Sequence, residues 1–449
     1  MGVVNSIIKK QPSAIKQLLY NIVPFEYRYG KEFGKTYNEI INNLNLPTEK
    51  LREKQFNELK NILIHSKENV KYYNKLFSDY GFDPYKFQDF KDIEKLPYLT
   101  KDIIKENYQD LMADNFKNKK LHTLKTSGST GKKLEFLATD DVFKKEAAFI
   151  LRAYNTHGAT LYDKPSIWLR RYVPTDSNAP LWNYDYELKR LYMSAYHLTS
   201  NTLDKYLNEI NNRKYHTLVG YPSSIYAFAC LLEETGKSID IKAIHTASEM
   251  MLPQWREKIN KVFGIRVKSH YGQMEKVSLF IQDNEDESYR DCLDYSYNEF
   301  IEENNQNIIV GTGFLNYAMP FIRYKTNDTV ETDFSNVQNI GMPKIIKQVN
   351  GRCDDILIST NGARLPGVNF YTMMYKIEGV KMFQIIQKSR DNIIFNLVKN
   401  ESFNENTLNL IENGLKNRIG DVNISFNFVQ EIERSKTTGK VRCIFNEIQ

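Results

Sequence analysis

The amino-acid sequence predicts an α/β protein, with a large N-terminal α/β domain that opens with helices and a small C-terminal α+β domain. Two observations support this prediction. Helical segments and short apolar strands alternate through the middle of the chain, which is typical of α/β layering with a partly parallel sheet. After "GRCDD" the pattern changes to a compact block of about a hundred residues, the size of one small domain. We therefore divide the chain into a helical part of the large domain (1–120), its α/β core (121–350) and a C-terminal domain (351–449).

The composition indicates an ordinary globular protein. Of the 449 residues, 41% are hydrophobic and 26% are charged, and the net charge of +6 includes no long block of Lys and Arg. This balance gives little support for nucleic-acid binding and fits an anionic small-molecule ligand. The four cysteines form no CxxC pair, so we expect free thiols and a reducing compartment, the cytoplasm.

The opening of the chain has the spacing of helices. The segment "IIKKQPSAIKQLLYNIV" is basic and amphipathic, and we expect it to pack on its own protein, with weak peripheral contact with a membrane as the alternative. Apolar residues at helical spacing predict an all-helical opening that includes about Leu51 to Phe77, and Thr100 is the predicted N-cap of a further helix. No segment is apolar over the length that a transmembrane helix needs.

A loop of Gly, Ser, Thr and Lys, "TSGSTGKK", joins a strand near Leu121–Lys125 to the alternating "KLEFLA". Its glycines leave the backbone unencumbered, and its hydroxyls and lysine charges suit phosphate oxygens, so the default ligand is a nucleotide. Only two residues separate Gly128 from Gly131, and a strand follows them, which excludes a Walker-type loop. Thr139 and Asp140 then begin a helix.

In the rest of the chain, predicted strands and helices alternate up to the C-terminal block, which has a different pattern. Strands and helices are predicted in turn over "LDKYLNEINNR", "TLVGYPSSIYAFACLLEETG", "IKAIHTASEMM", "PQWREKINKVFG" and "IRVKSHYGQMEKVSLF". The C-terminal block predicts strands near Val380–Gln387 and Asn392–Val398, a helix over Asn404–Arg418 and a strand over Val422–Val429.

Five stretches occur in an order that chance does not readily supply: "TSGSTGKK" (126–133), "HYGQMEKV" (270–277), "MPFIRYKTND" (319–328), "GRCDDILISTNGARLPG" (351–367) and "SKTTGKVR" (435–442). The ordered set resembles the adenylate-forming enzymes, which make acyl-AMP from a carboxylate and ATP. The opening "QFNELKNILIHSKENVKYYNKLFSDYG" with "LPYLTKDII" is similar to the phenylacetate-CoA ligase branch, including its CapK-like relatives encoded with capsule and O-antigen genes. The resemblance implies that superfamily's fold, in which the C-terminal domain is a mobile lid.

The resemblance implies a role for each motif. The loop would hold the β and γ phosphates through Thr126, Ser127, Gly128, Ser129, Thr130, Gly131 and Lys132. In "YGQME", Tyr271 would stack on adenine beside Gly272, and Glu275 would help to hold Mg²⁺, which favours carboxylate oxygen. Met274 stands where the family often has Thr or Ser, so one hydroxyl contact to the AMP phosphate is missing.

Further residues complete the implied nucleotide site. Asp328 matches the acid that accepts both ribose hydroxyls, and Asn327 replaces the usual Gly, since Asn also accepts positive φ. Arg352 would bind the same ribose or phosphate, and Asp354 falls at the hinge between the domains. Lys440 matches the catalytic lysine that the C-terminal domain brings over the α-phosphate, where its charge stabilises the transition state.

Other candidates are weaker. The segment "HTASEMM" resembles the stretch beside the adenine and the acyl pocket, which makes Ser248 and Glu249 candidates for nucleotide binding. Tyr221 and Pro222 suit the acyl side and the core equally. The histidines are expected to be structural, because adenylation starts from an ionised carboxylate and needs no general base.

The leading hypothesis is an ATP- and Mg²⁺-dependent ligase that forms acyl-AMP and pyrophosphate and then acylates an acceptor. The lead "YRYGKEFGKTYNEIINNL" favours an amino sugar or sugar nucleotide in surface polysaccharide synthesis; the alternative acceptor is coenzyme A, as in aromatic acid metabolism. An adenylyltransferase that leaves AMP on a cofactor hydroxyl is a second class. A non-catalytic binding protein is a third, opposed by the joint presence of Glu275, Asp328, Arg352 and Lys440.

Overall fold

The computed structural model describes residues 7–8, 10–23, 31–126, 134–156, 158, 164–170, 181–282, 287–303, 306–332, 345–352, 356–360, 364–434 and 441–448. Helices and strands are both abundant over these residues, and the predicted mixed α/β class is confirmed. The helices, numbered along the chain, are α1 (Ser13–Ile22), α2 (Lys31–Asn42), α3 (Thr48–Asn69), α4 (Lys71–Asp79), α5 (Lys101–Glu106), α6 (Asp140–Asn155), α7 (Ser200–Asn211), α8 (Pro222–Thr235), α9 (Pro253–Phe263), α10 (Val368–Tyr375) and α11 (Glu405–Ile419).

The strands are numbered in the same way. They are β1 (His122–Lys125), β2 (Glu135–Ala138), β3 (Ser166–Arg170), β4 (Trp182–Asp185), β5 (Arg190–Ser194), β6 (Thr217–Gly220), β7 (Ala243–Ala247), β8 (Lys268–Gly272), β9 (Leu279–Ile281), β10 (Tyr289–Asp291), β11 (Ser296–Glu303), β12 (Gln306–Gly313), β13 (Tyr324–Thr332), β14 (Ile345–Arg352), β15 (Ile356–Ile358), β16 (Arg364–Pro366), β17 (Val380–Ser389), β18 (Asn392–Lys399), β19 (Asn423–Phe428) and β20 (Ile444–Asn446).

The chain opens with helices, as predicted, and the helical stretch from Leu51 to Phe77 is divided between α3 and α4. Val70, between α3 and α4, has an extended backbone with φ −121° and ψ 110°, and its side chain is buried. The backbone N–H of Tyr72 donates to the carbonyl of Asp110 at 3.0 Å, outside its own helix. The predicted N-cap is confirmed, because Thr100 Oγ1 accepts from the N–H of Ile103.

Helix α1 buries one side and exposes the other. Tyr20 is 3% exposed, whereas Ile15, Leu18 and Ile22 are 47%, 60% and 64% exposed. The expected packing on the protein therefore covers only part of the apolar surface of this helix. Within the described ranges, no helix combines the length and the apolar character required to cross a bilayer.

The glycine-rich loop is flanked as predicted. Strands β1 and β2 pair antiparallel, with His122 opposite Ala138 and Lys125 opposite Glu135. Helix α6 begins at Asp140, directly after the hairpin. Residues 127–133 of the loop itself lie outside the described residues.

The described residues include one large sheet, with the strand order β11-β12-β13-β14-β10-β9-β8-β7-β6-β3-β5-β4. Strands β5, β3, β6, β7 and β8 run parallel to their neighbours within this group. The partly parallel sheet predicted from the alternation is confirmed. From β8 to β11 the pairings are antiparallel, and β4 pairs antiparallel with β5 at the other end of the sheet.

The two outermost strands of this sheet differ from its buried centre. Strand β4 is four residues long. Strand β11, with the sequence "SYNEFIEE", is eight residues long and includes Glu299, Glu302 and Glu303. At its start, Gln55 of α3 donates to the carbonyl of Ser296 at 2.7 Å.

The C-terminal block forms its own sheet, in the order β19-β18-β17-β20. The strands and the helix predicted there are confirmed within two residues at each end, apart from the short added strand β20. The domain boundary near residue 351 stays a prediction. Cys230, Cys292 and Cys443 are buried free thiols, as predicted, and Cys353 lies outside the described residues.

Candidate active site

Two of the sequence motifs follow neighbouring parallel strands of the large sheet and lie at the same end of those strands. Strands β7 and β8 are parallel neighbours, with Ala247 opposite His270. The segments that follow them therefore start side by side at the carboxyl ends of these strands, where open α/β sheets bind their ligands. Ser248 and Glu249 follow β7, and Tyr271 and Gly272 end β8.

Tyr271 is held by contacts on its ring and on its hydroxyl. The ring stacks on Phe280 of β9, with centroids 5.2 Å apart and planes 21° apart. The hydroxyl donates to Asp328 Oδ2 at 2.5 Å. Burial and the negative charge of Asp328 raise the pKa of Tyr271 well above its usual value. The phenol is therefore protonated, and it orients one oxygen of the Asp328 carboxylate.

This contact requires the large sheet to curl. Between β8 and β13 lie three strands, β9, β10 and β14. In a flat sheet four steps of about 4.8 Å would separate Tyr271 from Asp328 by about 19 Å. The curled strands surround an apolar core: Phe280, Tyr289, Ile309, Val330 and Ile346. The curl thus brings two motifs, far apart in the sheet, to one site.

Glu275 lies beside this pair. It is 9% exposed, and its Oε1 accepts from the hydroxyl of Tyr324 at 3.0 Å. Burial raises the pKa of Glu275, the charge of Lys101 and the Tyr324 hydrogen bond oppose this shift, and the charge of Asp328 adds to it. The side chains of Tyr271, Asp328 and Glu275 therefore lie close enough to interact electrostatically.

The carboxylates of this cluster suit Mg²⁺ held together with a substrate. No group of three or more His, Cys, Asp or Glu in the described ranges has a metal-binding arrangement. Mg²⁺ in nucleotide sites commonly uses one or two carboxylates and substrate phosphates, keeping several waters. One buried carboxylate, that of Glu275, fits this mode and does not form a site for a metal without substrate.

Two glycines of β12 permit the backbone after Glu275 to lie close to the sheet. A Cβ on Gly311 would overlap the carbonyl oxygen of Val277, and one on Gly313 would overlap that of Lys276. Lys276 itself has a positive φ of 60°. The glycines therefore determine how closely the segment with Glu275 approaches β12.

Thr126, the first residue of the glycine-rich loop, closes the β1–β2 hairpin. Its N–H donates to the carbonyl of Leu134 at 2.8 Å, and its Oγ1 accepts from the N–H of Leu134 at 3.2 Å. These contacts join the two ends of the loop. The other predicted phosphate-binding residues lie outside the described residues: Ser127, Gly128, Ser129, Thr130, Gly131 and Lys132.

The structure describes some of the remaining predicted site residues in full, one by its backbone alone, and two not at all. Arg352 lies opposite Asp328 on the neighbouring strand β14, as its backbone shows. Ser248 is exposed, with a positive φ of 75°. The Glu249 carboxylate accepts from the N–H groups of Ser223 and Val441. Asp354 and Lys440 lie outside the described residues.

Some residues of the site were missed from sequence. Tyr324, which donates to Glu275, stands inside the motif "RYKTND", but nothing in that motif indicates its partner. Gly311 and Gly313 had a usable signal, since closely spaced glycines within a strand mark close backbone approach.

His245 and His270 are hydrogen bonded to each other, Nε2 to Nδ1, at 2.7 Å. Such a bond requires one ring to accept, so at least one ring is neutral. His245 is fully buried, which fits the structural role expected for these histidines.

Comparison with known proteins confirms the predicted resemblance. The family model of the CapK C-terminal domain matches residues 357–447. Protein CapK of Staphylococcus aureus is 28% identical over 459 residues, covering 99% of this chain and 100% of that protein. Phenylacetate-coenzyme A ligase of Thermus thermophilus is 22% identical over 344 residues, covering 73% of this chain and 74% of that protein.

Solved structures confirm the predicted fold of the adenylate-forming enzymes. 2-Hydroxyisobutyryl-CoA ligase in the postadenylation state, in complex with 2-HIB-AMP, is similar with a TM-score of 0.64. The sequence identity is 15%, and the alignment covers 90% of each chain. The same ligase in complex with 2-HIB-AMP and CoA, in the thioesterification state, gives a TM-score of 0.51 at 16% identity, covering 89% of this chain and 90% of that one.

Proposed function

We propose that this protein is an ATP-dependent, AMP-forming ligase that activates a carboxylic acid as acyl-AMP and then transfers the acyl group to an acceptor. The cluster of Tyr271, Asp328 and Glu275 at the carboxyl ends of the parallel strands carries this proposal. It combines an aromatic ring, a hydrogen-bonded carboxylate and a buried carboxylate. These groups suit an adenine, a ribose and the phosphates of one nucleotide. Similarity to phenylacetate-coenzyme A ligases supports the same activity.

The ring and the carboxylate suit the nucleoside half of ATP. Phe280 covers part of the Tyr271 ring, and adenine would stack on the remaining surface. The Asp328 carboxylate, already oriented by the Tyr271 hydroxyl, would accept from the ribose hydroxyls. The backbone of Arg352 opposite Asp328 supports a role for its side chain at the same sugar or phosphate.

The chemistry exchanges the phosphoanhydride bond between the α and β phosphates of ATP for a mixed anhydride between the carboxylic acid and AMP. A carboxylate oxygen attacks the α-phosphorus, a new O–P bond forms, and the bond to the bridging oxygen breaks, so that pyrophosphate leaves with the electron pair. Charge accumulates on the α-phosphoryl oxygens, and Lys440 would stabilise it there. The acceptor nucleophile then attacks the acyl carbon, and AMP leaves.

Glu275 would hold Mg²⁺ jointly with the phosphates of the substrate. When bound, Mg²⁺ would neutralise charge on the phosphate oxygens. Tyr324 donates to Glu275 and orients its carboxylate. Because the Glu275 carboxyl is buried, its raised pKa links this binding to pH.

For the acceptor we favour an amino group on a sugar or sugar nucleotide in surface polysaccharide synthesis over coenzyme A. This preference is supported by full-length similarity to protein CapK, whereas the similarity to phenylacetate-coenzyme A ligase covers 73% of the chain. Purified protein with ATP, a carboxylic acid and either acceptor would give an amide or a thioester, which mass spectrometry distinguishes. A product that retains AMP would instead indicate an adenylyltransferase.

The test of the first step is carboxylate-dependent exchange of labelled pyrophosphate into ATP. We expect exchange with at least one member of a broad panel of acids. Substituting Lys440→Ala should lower it about 100-fold or more, because a charge that stabilises the transition state is lost. A protein that binds ATP but shows no exchange with any acid would contradict the proposal.

A further inference from the structure

The described residues on either side of 435–440, the stretch that includes Lys440 in the sequence, both bond close to the N-terminus of α8. On its N-terminal side, Arg434 Nη1 donates to Ser223 Oγ at 3.0 Å. On its C-terminal side, the N–H of Val441 donates to Glu249 Oε1 at 2.9 Å. We call these four residues, Arg434, Ser223, Glu249 and Val441, the clasp.

Glu249 is the centre of the clasp. Its second oxygen, Oε2, accepts from the backbone N–H of Ser223 at 3.1 Å. A single carboxylate thus bonds two N–H groups that lie far apart in the sequence. The first of these belongs to the first turn of a helix, where the helix dipole favours negative charge. Hydrogen bonds to an ionised acceptor are stronger than those between neutral groups.

A turn directs Glu249 towards α8. Strand β7 ends at Ala247, and Ser248 has a φ of 75°, in the left-handed region that residues other than glycine rarely adopt. The chain therefore leaves the line of the strand directly before Glu249. Such backbone strain often lies at functional sites, and here it accompanies the two hydrogen bonds of the carboxylate.

We propose that Glu249 is a positioning residue for the adenylation step, acting through Lys440 and not by contact with the nucleotide. This inference rests on the proposed function. Val441 directly follows Lys440, and consecutive Cα atoms are about 3.8 Å apart. An acceptor that holds the N–H of Val441 therefore restrains the backbone directly after Lys440. Ser223 holds the other end of the segment through Arg434.

The clasp makes a selective prediction. Lys440 is assigned to attack on the α-phosphorus, so loss of the Glu249 carboxylate should impair formation of acyl-AMP. Transfer of an acyl group from acyl-AMP that is already formed should change little. A general loss of folding would lower both reactions.

The contact itself is tested by hydrogen–deuterium exchange of the full chain, with Glu249→Ala as the variant. The matched control is Glu234→Ala, which removes a separate ion pair to the C-terminal block, Lys381 to Glu234 at 2.6 Å. We expect the Val441 amide, followed in a peptide that carries Val441 at an internal position, to exchange about 10-fold faster or more in Glu249→Ala, since a hydrogen bond to a carboxylate is lost. The control should stay within twofold of wild type in that peptide. Unchanged protection in Glu249→Ala would overturn the proposal.

The catalytic consequence is tested in two half-reactions. In Glu249→Ala, pyrophosphate exchange should fall about 10- to 100-fold in kcat, corresponding to one charged hydrogen bond, with the KM for ATP within threefold. Transfer from chemically prepared acyl-AMP should stay within twofold. The double variant Glu249→Ala with Lys440→Ala should be no slower than Lys440→Ala alone, because both act on one group. Equal losses in both half-reactions, or additive losses in the double variant, would overturn the proposal.

Glu249→Gln is a second, more conservative variant that keeps the test informative if Glu249→Ala does not fold. It retains one acceptor oxygen and the volume of the side chain, so its protection and its exchange rate should lie between those of wild type and Glu249→Ala. A wild-type protein without exchange activity would contradict the proposed function, and with it the catalytic role of Glu249. Faster hydrogen exchange in the variant would then still support the clasp, which separates the two failures.

Discussion

At the residue scale, the hydrogen bond from Tyr271 to Asp328 holds two nucleotide-binding groups in place before any ligand arrives. The Tyr271 ring is stacked on Phe280, and its hydroxyl orients the carboxylate at 2.5 Å. Groups that are ordered in advance cost less conformational entropy when a ligand binds. Asp328 would accept the ribose hydroxyls directly, whereas the Tyr271 hydroxyl acts through Asp328. We therefore expect ATP binding to depend on the charge of Asp328 more than on the Tyr271 hydroxyl.

Substituting Asp328→Asn tests this dependence. We expect the KM for ATP in pyrophosphate exchange to rise about 10- to 100-fold, because hydrogen bonds to a charged group contribute about 1.5–3 kcal/mol. Tyr271→Phe, which keeps the ring, should have a smaller effect. The control is Asp79→Asn at the exposed end of α4. A KM within twofold of wild type for Asp328→Asn would remove Asp328 from the nucleotide site.

Glu275 gives a pH-dependent prediction for stability. Burial raises its pKa above the ordinary value of 4.5. Because the folded protein then holds this proton more tightly than the unfolded chain, the stability contribution is complete below about pH 4.5 and is lost as pH rises through the raised pKa. Glu275→Gln, which keeps an acceptor for Tyr324, should therefore melt at a higher temperature than ligand-free wild type at pH 8. The difference should shrink as pH falls towards 4.5.

The same substitution should weaken function. Without the carboxylate, exchange should require more Mg²⁺. The pH dependence of Mg²⁺ affinity that we expect in wild type should also weaken, since metal binding no longer releases a proton from this residue. Melting curves and Mg²⁺ titrations at several pH values measure both effects. Glu401→Gln, at an exposed position, is the control. Lower stability of Glu275→Gln at pH 8 would show that burial of the charge is compensated.

The residue-level site was predictable where a motif has a fixed chemical purpose. Tyr271, Asp328 and Glu275 were named from their motifs, and the structure brings them together. The partner of Glu275 was not predictable, because Tyr324 is 49 residues away in sequence. Hydrogen bonds over such separations follow from tertiary folding and leave no local pattern.

At the element scale, β12 controls the backbone position of the segment after Glu275. A methyl group at Gly313 would overlap the carbonyl oxygen of Lys276, which belongs to backbone and cannot turn away as a side chain can. We expect Gly313→Ala to lower exchange activity at least 10-fold by moving Glu275, since small displacements of a catalytic group are costly. Gly414→Ala, whose methyl would meet only the flexible side chain of Met373, is the control. Full activity of Gly313→Ala would contradict this role.

Helices and strands with a regular spacing of apolar residues were predictable from the sequence. An interruption of a helix that depends on a contact with a distant residue was not. The helix α6 and the strands β17 and β18 follow from local patterns. The break at Val70 does not, because the N–H of Tyr72 bonds to Asp110, outside the two helices. Apolar residues keep their helical spacing on both sides of Val70, so this spacing indicates helix without marking the break.

At the scale of the whole molecule, the curl of the large sheet is the feature that sequence could least reveal. A partly parallel sheet was predictable from the alternation of helices and strands, but the order of the strands in the sheet was not. Tyr271 and Asp328 meet only because three intervening strands bend round the core that includes Phe280 and Ile346. The resemblance supplied the pairing of these motifs, and the geometry explains it.

A buried ion pair joins the opening helices to the rest of the molecule. Arg152 of α6 bonds Asp294 through both terminal nitrogens, at 2.7 and 2.9 Å, and Asn43 donates to the same carboxylate at 2.6 Å. Arg152 also donates to the carbonyl of Ile40 at the end of α2. We expect Asp294→Asn to lower the free energy of unfolding by about 3–5 kcal/mol, because the Arg152 charge is left buried without its partner.

Urea unfolding followed by circular dichroism measures this loss. The control is Glu53→Gln, which breaks the exposed pair between Lys50 and Glu53 and should change stability by less than about 1 kcal/mol. A loss below about 1 kcal/mol in Asp294→Asn would mean that another group compensates the arginine.

The two outermost strands of the large sheet affect how readily the protein aggregates at high concentration. An unpaired strand at a rim is a template on which a second molecule can continue hydrogen bonding, the first step towards fibrils. Strand β4 offers only four residues for such stacking. Strand β11 is longer, and Gln55 engages its near end. On its far half Glu303 is paired with Lys325, whereas Glu302 adds a negative charge. We expect repulsion between the Glu302 side chains of two molecules to oppose pairing through this strand and so to disfavour polymerisation through the sheet.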